Sequence, residues 1–221
     1  LFFRQQASMR LEEQLRREKA EEELRALKSQ LQPHFLFNTI NNLYALARIK
    51  SDKTAPVALQ LANLLRFVLY ETRKPTIPIE QEVKILQDYI ALEQLRFDDD
   101  RLRVETVIEL DDPQQPIAPL LLLPLAENAF KHGVGELRSD AWVYVLVRLK
   151  NGHLQMEVGN SVETRPDPNP DGIGIANVQR QLELLYPGKS RLELKYQSAH
   201  YPKQGEQFKA LLELDLKGIQ I

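Results

Sequence analysis

No cysteine occurs among the 221 residues. That excludes disulfides, cysteine-based zinc sites and thiol catalysis, and it fits a reducing compartment. No apolar run reaches the roughly 20 residues needed to span a bilayer, and no signal peptide is visible. Excess positive charge is missing too: 29 Lys and Arg stand against 31 Asp and Glu, a net charge of -2. Phosphate-backbone binding needs concentrated Lys and Arg, so a nucleic-acid partner is not expected. The sequence has no GxxxxGK[ST] loop, which removes a P-loop ATPase, and no motif set of a serine, threonine or tyrosine kinase. What remains is ordinary for a soluble protein, with 43% hydrophobic and 27% charged residues. A chain of this length holds a sizeable core in one or two domains. It opens on Leu1-Phe2-Phe3-Arg4 rather than methionine, which suggests a piece following a membrane or sensor segment.

Residues 5 to 31 contain no Gly or Pro and are rich in Gln, Glu, Arg, Lys and Leu, as a long helix would be. Ala20, Leu24, Leu27 and Leu31 form a short heptad seam, read either as a dimeric coiled coil or as one solvated helix. The next stretch, Gln30 to Asn42, organises the rest. Leu36, Ile40, Leu43 and Ala47 make one apolar helical face, and His34 lies about 200° away from it. Pro33 removes an amide hydrogen just before the histidine. Spacing alone leaves His34 as either an exposed reactive group or a surface histidine beside a kink. A turn at Lys50-Ser51-Asp52-Lys53 leads to a second helix, capped by Asp52 or Thr54, with a broad stripe of Val57, Leu61, Leu64, Leu65, Val68 and Leu69. Two such hairpins would make a four-helix bundle.

Lys74 to Pro78 reads as extended, and a helix follows from Glu80 to Arg96 with Val83, Leu86, Ile90 and Phe97 inward. The period then changes to two at Leu102, Val104, Thr106, Ile108 and Leu110, a strand. Pro119 to His132 reads as an apolar helix. Val143 to Leu149 and Leu154 to Val158 are strands joined at Asn151-Gly152, a strong hairpin signal. Ser161 to Asp171 is a proline-bearing loop. Gly172-Ile173-Gly174 opens a helix that Pro187-Gly188 stops, and two strands close the chain. The expected class is α+β: a long helix and helical hairpin over residues 1–75, then a mixed sheet with helices over residues 76–221.

Three stretches carry chemistry. Glu127-Asn128 with Lys131, His132 and Gly133 puts a polar cluster at the end of an apolar helix. An amide oxygen there suits Mg²⁺ and Lys131 suits phosphate, although Lys, His and Gly also close helices for ordinary reasons. Gly172 and Gly174 open a helix with amide hydrogens free for phosphate. The third is His34 with its flanking residues.

Gln32-Pro33-His34-Phe35-Leu36-Phe37-Asn38 resembles the phosphoacceptor signature of the LytS-type sensor histidine kinases. Pro124 to Gly133 resembles that family's N box, and Asp171 to Asn177 is similar to its second glycine box. Arg96-Phe97 and Leu184-Leu185-Tyr186-Pro187-Gly188 fit it as well, so the likeness covers roughly residues 25 to 215. The resemblance implies a dimerisation and phosphotransfer hairpin followed by a Bergerat-type ATP-binding domain. ATP would lie between the Asn128 helix and the Gly172 loop, with Asn128 holding Mg²⁺ and Lys131 and His132 near the phosphates. Gly174, Asn177 and Asn160 would complete the nucleotide site, and Glu127 is the nearest candidate base. His34 would take the γ-phosphate and pass it to an aspartate on a response-regulator receiver domain. A homodimer is implied, on the cytoplasmic side of a membrane-anchored protein. An imidazole of ordinary pKa is largely neutral at pH 7 and can attack in line.

The family's first glycine box often carries an aspartate that reads the adenine amino group. The matching stretch here is Val158-Gly159-Asn160-Ser161, with glycine at the expected place. That departure motivates a rival reading, a dimeric signalling scaffold poor in nucleotide binding and without kinase turnover. A phosphate-releasing Bergerat ATPase is a third, but it leaves the His34 segment without a task. His153 and His200 are expected on the surface.

Overall fold

In the computed structural model the described residues are 33–97, 101–133, 141–162, 173–199 and 205–218. The heptad seam, the proline-bearing loop beyond Val162, Gly172 and His200 lie outside them; Ser161 and Val162, expected in that loop, instead end a strand paired with Gln207 and Glu206. Two helices come first, α1 (Pro33–Arg48) and α2 (Thr54–Tyr70), the second ending in a 3₁₀ turn at Glu71–Arg73. Then follow β1 (Ile77–Pro78), α3 (Ile79–Gln94), β2 (Leu102–Leu110), β3 (Pro116–Ile117) and α4 (Leu123–Gly133). The chain continues through β4 (Ala141–Lys150), β5 (His153–Val162), α5 (Ile173–Leu185), β6 (Ser190–Ala199) and β7 (Gly205–Asp215).

The main sheet has the order β2-β4-β5-β7-β6. Only β2 and β4 pair in parallel, and the connection that returns the chain to the same end carries α4. β4 and β5 turn at Asn151 (φ 52°) and Gly152 (φ 75°), positive φ at both central residues as the sequence implied. Register follows the pleat. Val143, Val145, Val147, Met156, Val158, Ala210, Leu212 and Leu214 point inward and are buried. Leu121, Leu122, Leu125, Ala126 and Ala129 cover them, and the two alanines let α4 lie close to β4 and β5. The opposite face of the sheet carries Trp142, Tyr144, Arg148, Glu157 and Lys209. A mixed sheet with helices on one face, preceded by a helical hairpin, is the expected α+β class.

Local details differ from the sequence reading. The α4 helix starts at Leu123, not Pro119, because residues 118–122 are held in another shape. Leu120 has φ 60°, and its amide donates to Glu82 Oε2 at 3.0 Å while the Leu122 amide donates to Oε1 at 2.9 Å. A carboxylate from α3 thus replaces the intrahelical bonds that this stretch would otherwise make. Neither Asp52 nor Thr54 caps α2: Lys53 stands at the N-cap without a side-chain bond, and the Thr54 hydroxyl donates to the Ser51 carbonyl. In α1 the buried residues are Phe35 and Thr39, with Leu36, Leu43 and Leu46 packed beside them. Ile40 and Ala47, expected inside, face outward. Phe67 in α2 is buried, whereas Leu69 is exposed. The short β1–β3 ladder, Ile77 opposite Ile117, ties the extended segment before α3 to the segment before α4.

Candidate nucleotide and phosphotransfer site

At 100° per residue α4 divides into three stripes. Leu125, Ala126 and Ala129 face the sheet and are fully buried. Leu123, Glu127 and Phe130 face α3. Pro124, Asn128 and Lys131 form the third stripe, with Lys131 exposed and Asn128 mostly buried. This third stripe meets the start of α5: a Cβ built on Gly174 would lie 3.7 Å from the Pro124 Cβ. The first turn of α5 therefore stands over the stripe that carries Asn128 and Lys131. Helix N-termini present amide hydrogens and positive dipole character, so the two elements together suit an anion beside a hard oxygen ligand. Asn177, further along α5, is exposed.

Strand β5 supplies the deeper part. Val158 and Asn160 point to the helical side, and Gly159 points to the other. A Cβ on Gly159 would meet Trp142 Cζ3 at 3.4 Å and Tyr144 Cδ1 at 3.7 Å, both on the open face of the sheet. Asn160 is 0% exposed. Its Nδ2 donates to the Ser161 carbonyl at 3.0 Å, while its Oδ1 is buried with no partner among the described residues. A buried acceptor left alone costs about 1–3 kcal/mol. It is the kind of atom that a ligand's amino group satisfies. The residue aimed into the helical layer is thus Asn160, and the glycine at 159 has no bearing on it.

His34 lies in the first turn of α1 and His132 near the end of α4; their side chains are outside the described set. Glu127 is half-buried, and its charge helps raise the pKa of Tyr89 well above the ordinary phenol value, after burial and Glu93. Among the described residues no three His, Asp or Glu side chains group as a protein-only metal site requires. Magnesium at nucleotide sites usually takes one or two protein ligands and completes its shell with phosphates and water, so the donor set of Asn128 is compatible. Three cavities lined by described residues lie elsewhere. One of about 510 Å³ sits at the sheet edge among Arg148, Lys189 and Arg191. One of about 360 Å³ lies over Trp142 and Gly159, and one of about 690 Å³ between α2 and α3. None of these three borders Asn128 or Asn160.

Sequence reasoning missed Phe35, Glu82 and Tyr89. The available signal for Tyr89 was its helical spacing with Glu93 and Arg96. Tyr89 Oη donates to Glu93 Oε1 at 3.2 Å, and Arg96 Nη1 donates to Glu93 Oε2 at 2.5 Å. Glu82 reads in sequence only as an acid in the first turn of a helix.

Comparison with known proteins agrees with the motifs. The family described as "Histidine kinase" matches residues 22–102. Sensor protein LytS of Staphylococcus haemolyticus is 32% identical over 186 residues, 78% of this chain and 32% of that protein. Sensor histidine kinase YpdA of Escherichia coli is 33% identical over 186 residues, 79% of this chain and 32% of that protein. The chain therefore spans about a third of the length of these relatives. Among solved structures, the histidine kinase domain of the blue-light activated histidine kinase from Erythrobacter litoralis EL346 aligns with a TM-score of 0.49 and 15% identity, covering 91% of this chain and 97% of that one. The sequence relatives and the matched motifs agree, and this chain belongs to the LytS-type histidine kinases.

Proposed function

We propose that this chain is the phosphotransfer and ATP-binding part of a sensor histidine kinase, which phosphorylates His34 and passes the group to an aspartate on a response-regulator receiver domain. The observation that carries the reading is the unpartnered Oδ1 of Asn160, buried on the inner face of the strand on which the Asn128 helix packs. In this reading Asn160 accepts a hydrogen bond from the adenine amino group. Asn128 and phosphate oxygens hold Mg²⁺, which neutralises charge on the transferring group. Lys131 and His132 lie by the phosphates, and Gly172 and Gly174 let the backbone at the start of α5 approach them. A nitrogen of His34 attacks the γ-phosphorus, forming a P–N bond as the bond to the ADP oxygen breaks. Glu127 takes the proton released from the ring. Most of the acceleration in such a step comes from positioning and charge neutralisation.

On α1, Phe37 (68% exposed), Ile40 and Tyr44 form an exposed apolar stripe at helical spacing. Apolar area of this kind is usually covered by a partner, and a second copy of the hairpin would cover it as a four-helix bundle. The receiver domain and ATP place this part of the protein in the cytoplasm. The companion proposal is an anchor elsewhere in the protein, because this chain spans only about a third of the length of its relatives; among the described residues no helix is long and apolar enough to cross a membrane.

The scaffold alternative rested on glycine in place of aspartate. Because the 159 position faces Trp142, that glycine gives it no support. Incubation with labelled ATP and Mg²⁺ tests the kinase reading: wild type should gain acid-labile, alkali-stable label that His34→Gln abolishes. Unlabelled wild type that also fails to bind nucleotide would refute it.

A further inference from the structure

The first turn of α1 is anchored in a way that the rest of the helix is not. Phe35 is 3% exposed, although Phe37, Ile40 and Tyr44 of the same helix stand open. Its ring lies 5.0 Å from that of Tyr89, tilted by 36°. Tyr89 in turn meets Phe130 edge-on, with centroids 5.9 Å apart and planes at 84°. The chain of rings runs from α1 through α3 to α4, all within one polypeptide. Tyr89 is itself held fast, because its hydroxyl donates to Glu93, which also binds Arg96. Offset and edge-on ring pairs of this kind prefer particular geometries, so they fix orientation as well as proximity.

The far end of this chain is informative. Phe130 and Glu127 are three residues apart on α4 and share the stripe that faces α3. The charge of Glu127 adds to burial and Glu93 in raising the Tyr89 pKa, in keeping with its place on the α4 stripe that faces α3. At the near end, His34 is covalently next to Phe35, their Cα atoms about 3.8 Å apart. Seating Phe35 against Tyr89 therefore holds the backbone of His34 beside α3, with the Tyr89 ring between it and Phe130 of α4.

We propose that Phe35 and Tyr89 are positioning residues that dock the His34 helix on the ATP-binding unit of the same chain, so that phosphoryl transfer to His34 proceeds within one subunit. The inference rests on the kinase reading above. A packing role alone would change stability without separating kcat from the KM for ATP.

The test uses the full chain. Phe35→Ala should lower kcat for His34 labelling at least tenfold and leave the KM for ATP within twofold. Tyr89→Phe, which keeps the ring and loses only the hydroxyl bond, should stay within threefold of wild type. Phe35→Leu, which keeps apolar volume, serves where the alanine variant does not fold, and should show the same split to a smaller degree. Differently tagged His34→Gln and Asn128→Ala chains, co-expressed and purified as mixed dimers, should remain unlabelled. Label appearing on the Asn128→Ala chain would overturn the proposal, as would an unchanged kcat in Phe35→Ala or Phe35→Leu. Absence of label in wild type is a different failure, and it removes the kinase reading itself.

Discussion

Glu82 offers a prediction that does not depend on function. Its carboxylate is 1% exposed and accepts the amides of Leu120 and Leu122. Burial raises its pKa from 4.5 to about 7, against the opposing pull of the backbone amides of residues 120–123. The folded state therefore holds the Glu82 proton more tightly than the unfolded chain does. Stability from this group is fully present below the ordinary value of 4.5 and is lost as pH rises through about 7. At about 1.4 kcal/mol for each tenfold change in proton affinity, the span corresponds to about 3 kcal/mol. Other groups titrate over the same range, so the quantity to follow is a difference between variants. Glu82→Gln carries no charge at any pH and has one acceptor oxygen for two amides, which costs about 1–2 kcal/mol throughout. Urea unfolding at pH 5, 6.5 and 8 should find wild type the more stable at pH 5. The variant should draw level and then pass it by pH 8, a swing of about 2–3 kcal/mol with unchanged m-values. A stability difference constant within about 0.5 kcal/mol across those pH values, well below the swing that linkage requires, would show that the carboxylate is charged in the fold throughout.

Three further outcomes follow from the sheet and the helical core. Asn160→Ala should weaken ATP binding about tenfold, the value of about one hydrogen bond, as measured by titration calorimetry. Gly159→Asp should leave nucleotide affinity within twofold, because its side chain would rise against Trp142 rather than the helical side. Ser161→Ala removes the hydroxyl that accepts the Trp142 amide at 3.0 Å and should cost about 1–3 kcal/mol. The single tryptophan makes that loss readable by fluorescence-monitored unfolding.

What could be read from the sequence was whatever short-range chemistry dictates. Asn151-Gly152 announced its hairpin because few other residue pairs adopt positive φ twice in succession. Alternation at Val143–Leu149 and Leu154–Val158 named the inner face of the sheet, since a one-residue slip would expose the whole set. Contacts between distant residues left no such trace. The helix expected from Pro119 starts at Leu123 because a carboxylate nearly forty positions earlier captures the intervening amides. Two-residue ladders such as β1–β3 are too short to carry a period. For α1 the apolar positions were visible, but two apolar stripes overlap in Phe35-Leu36-Phe37. Periodicity alone does not say which stripe enters the domain and which waits for a partner.

The same distinction decides the question of the missing aspartate. Matching motifs letter by letter puts Gly159 opposite the family's acid and suggests a damaged nucleotide site. A strand is read by parity, however, and parity is fixed by burial. Val158 is buried beneath α4 in register with Val145 and Ala210, so the next inward residue is 160. Asparagine there retains a carbonyl oxygen able to accept from an amino group, and gives up only the charge of a carboxylate. A neutral acceptor binds such a donor less strongly than an ionised one, by roughly 1 kcal/mol. It also escapes the desolvation that a buried carboxylate would suffer on the same strand. Asn160→Asp therefore sets two terms against each other. If the stronger hydrogen bond dominates, ATP affinity rises severalfold while the nucleotide-free protein loses stability. If affinity falls instead, burial outweighs hydrogen-bond strength, and the amide is the better reader of adenine at this position.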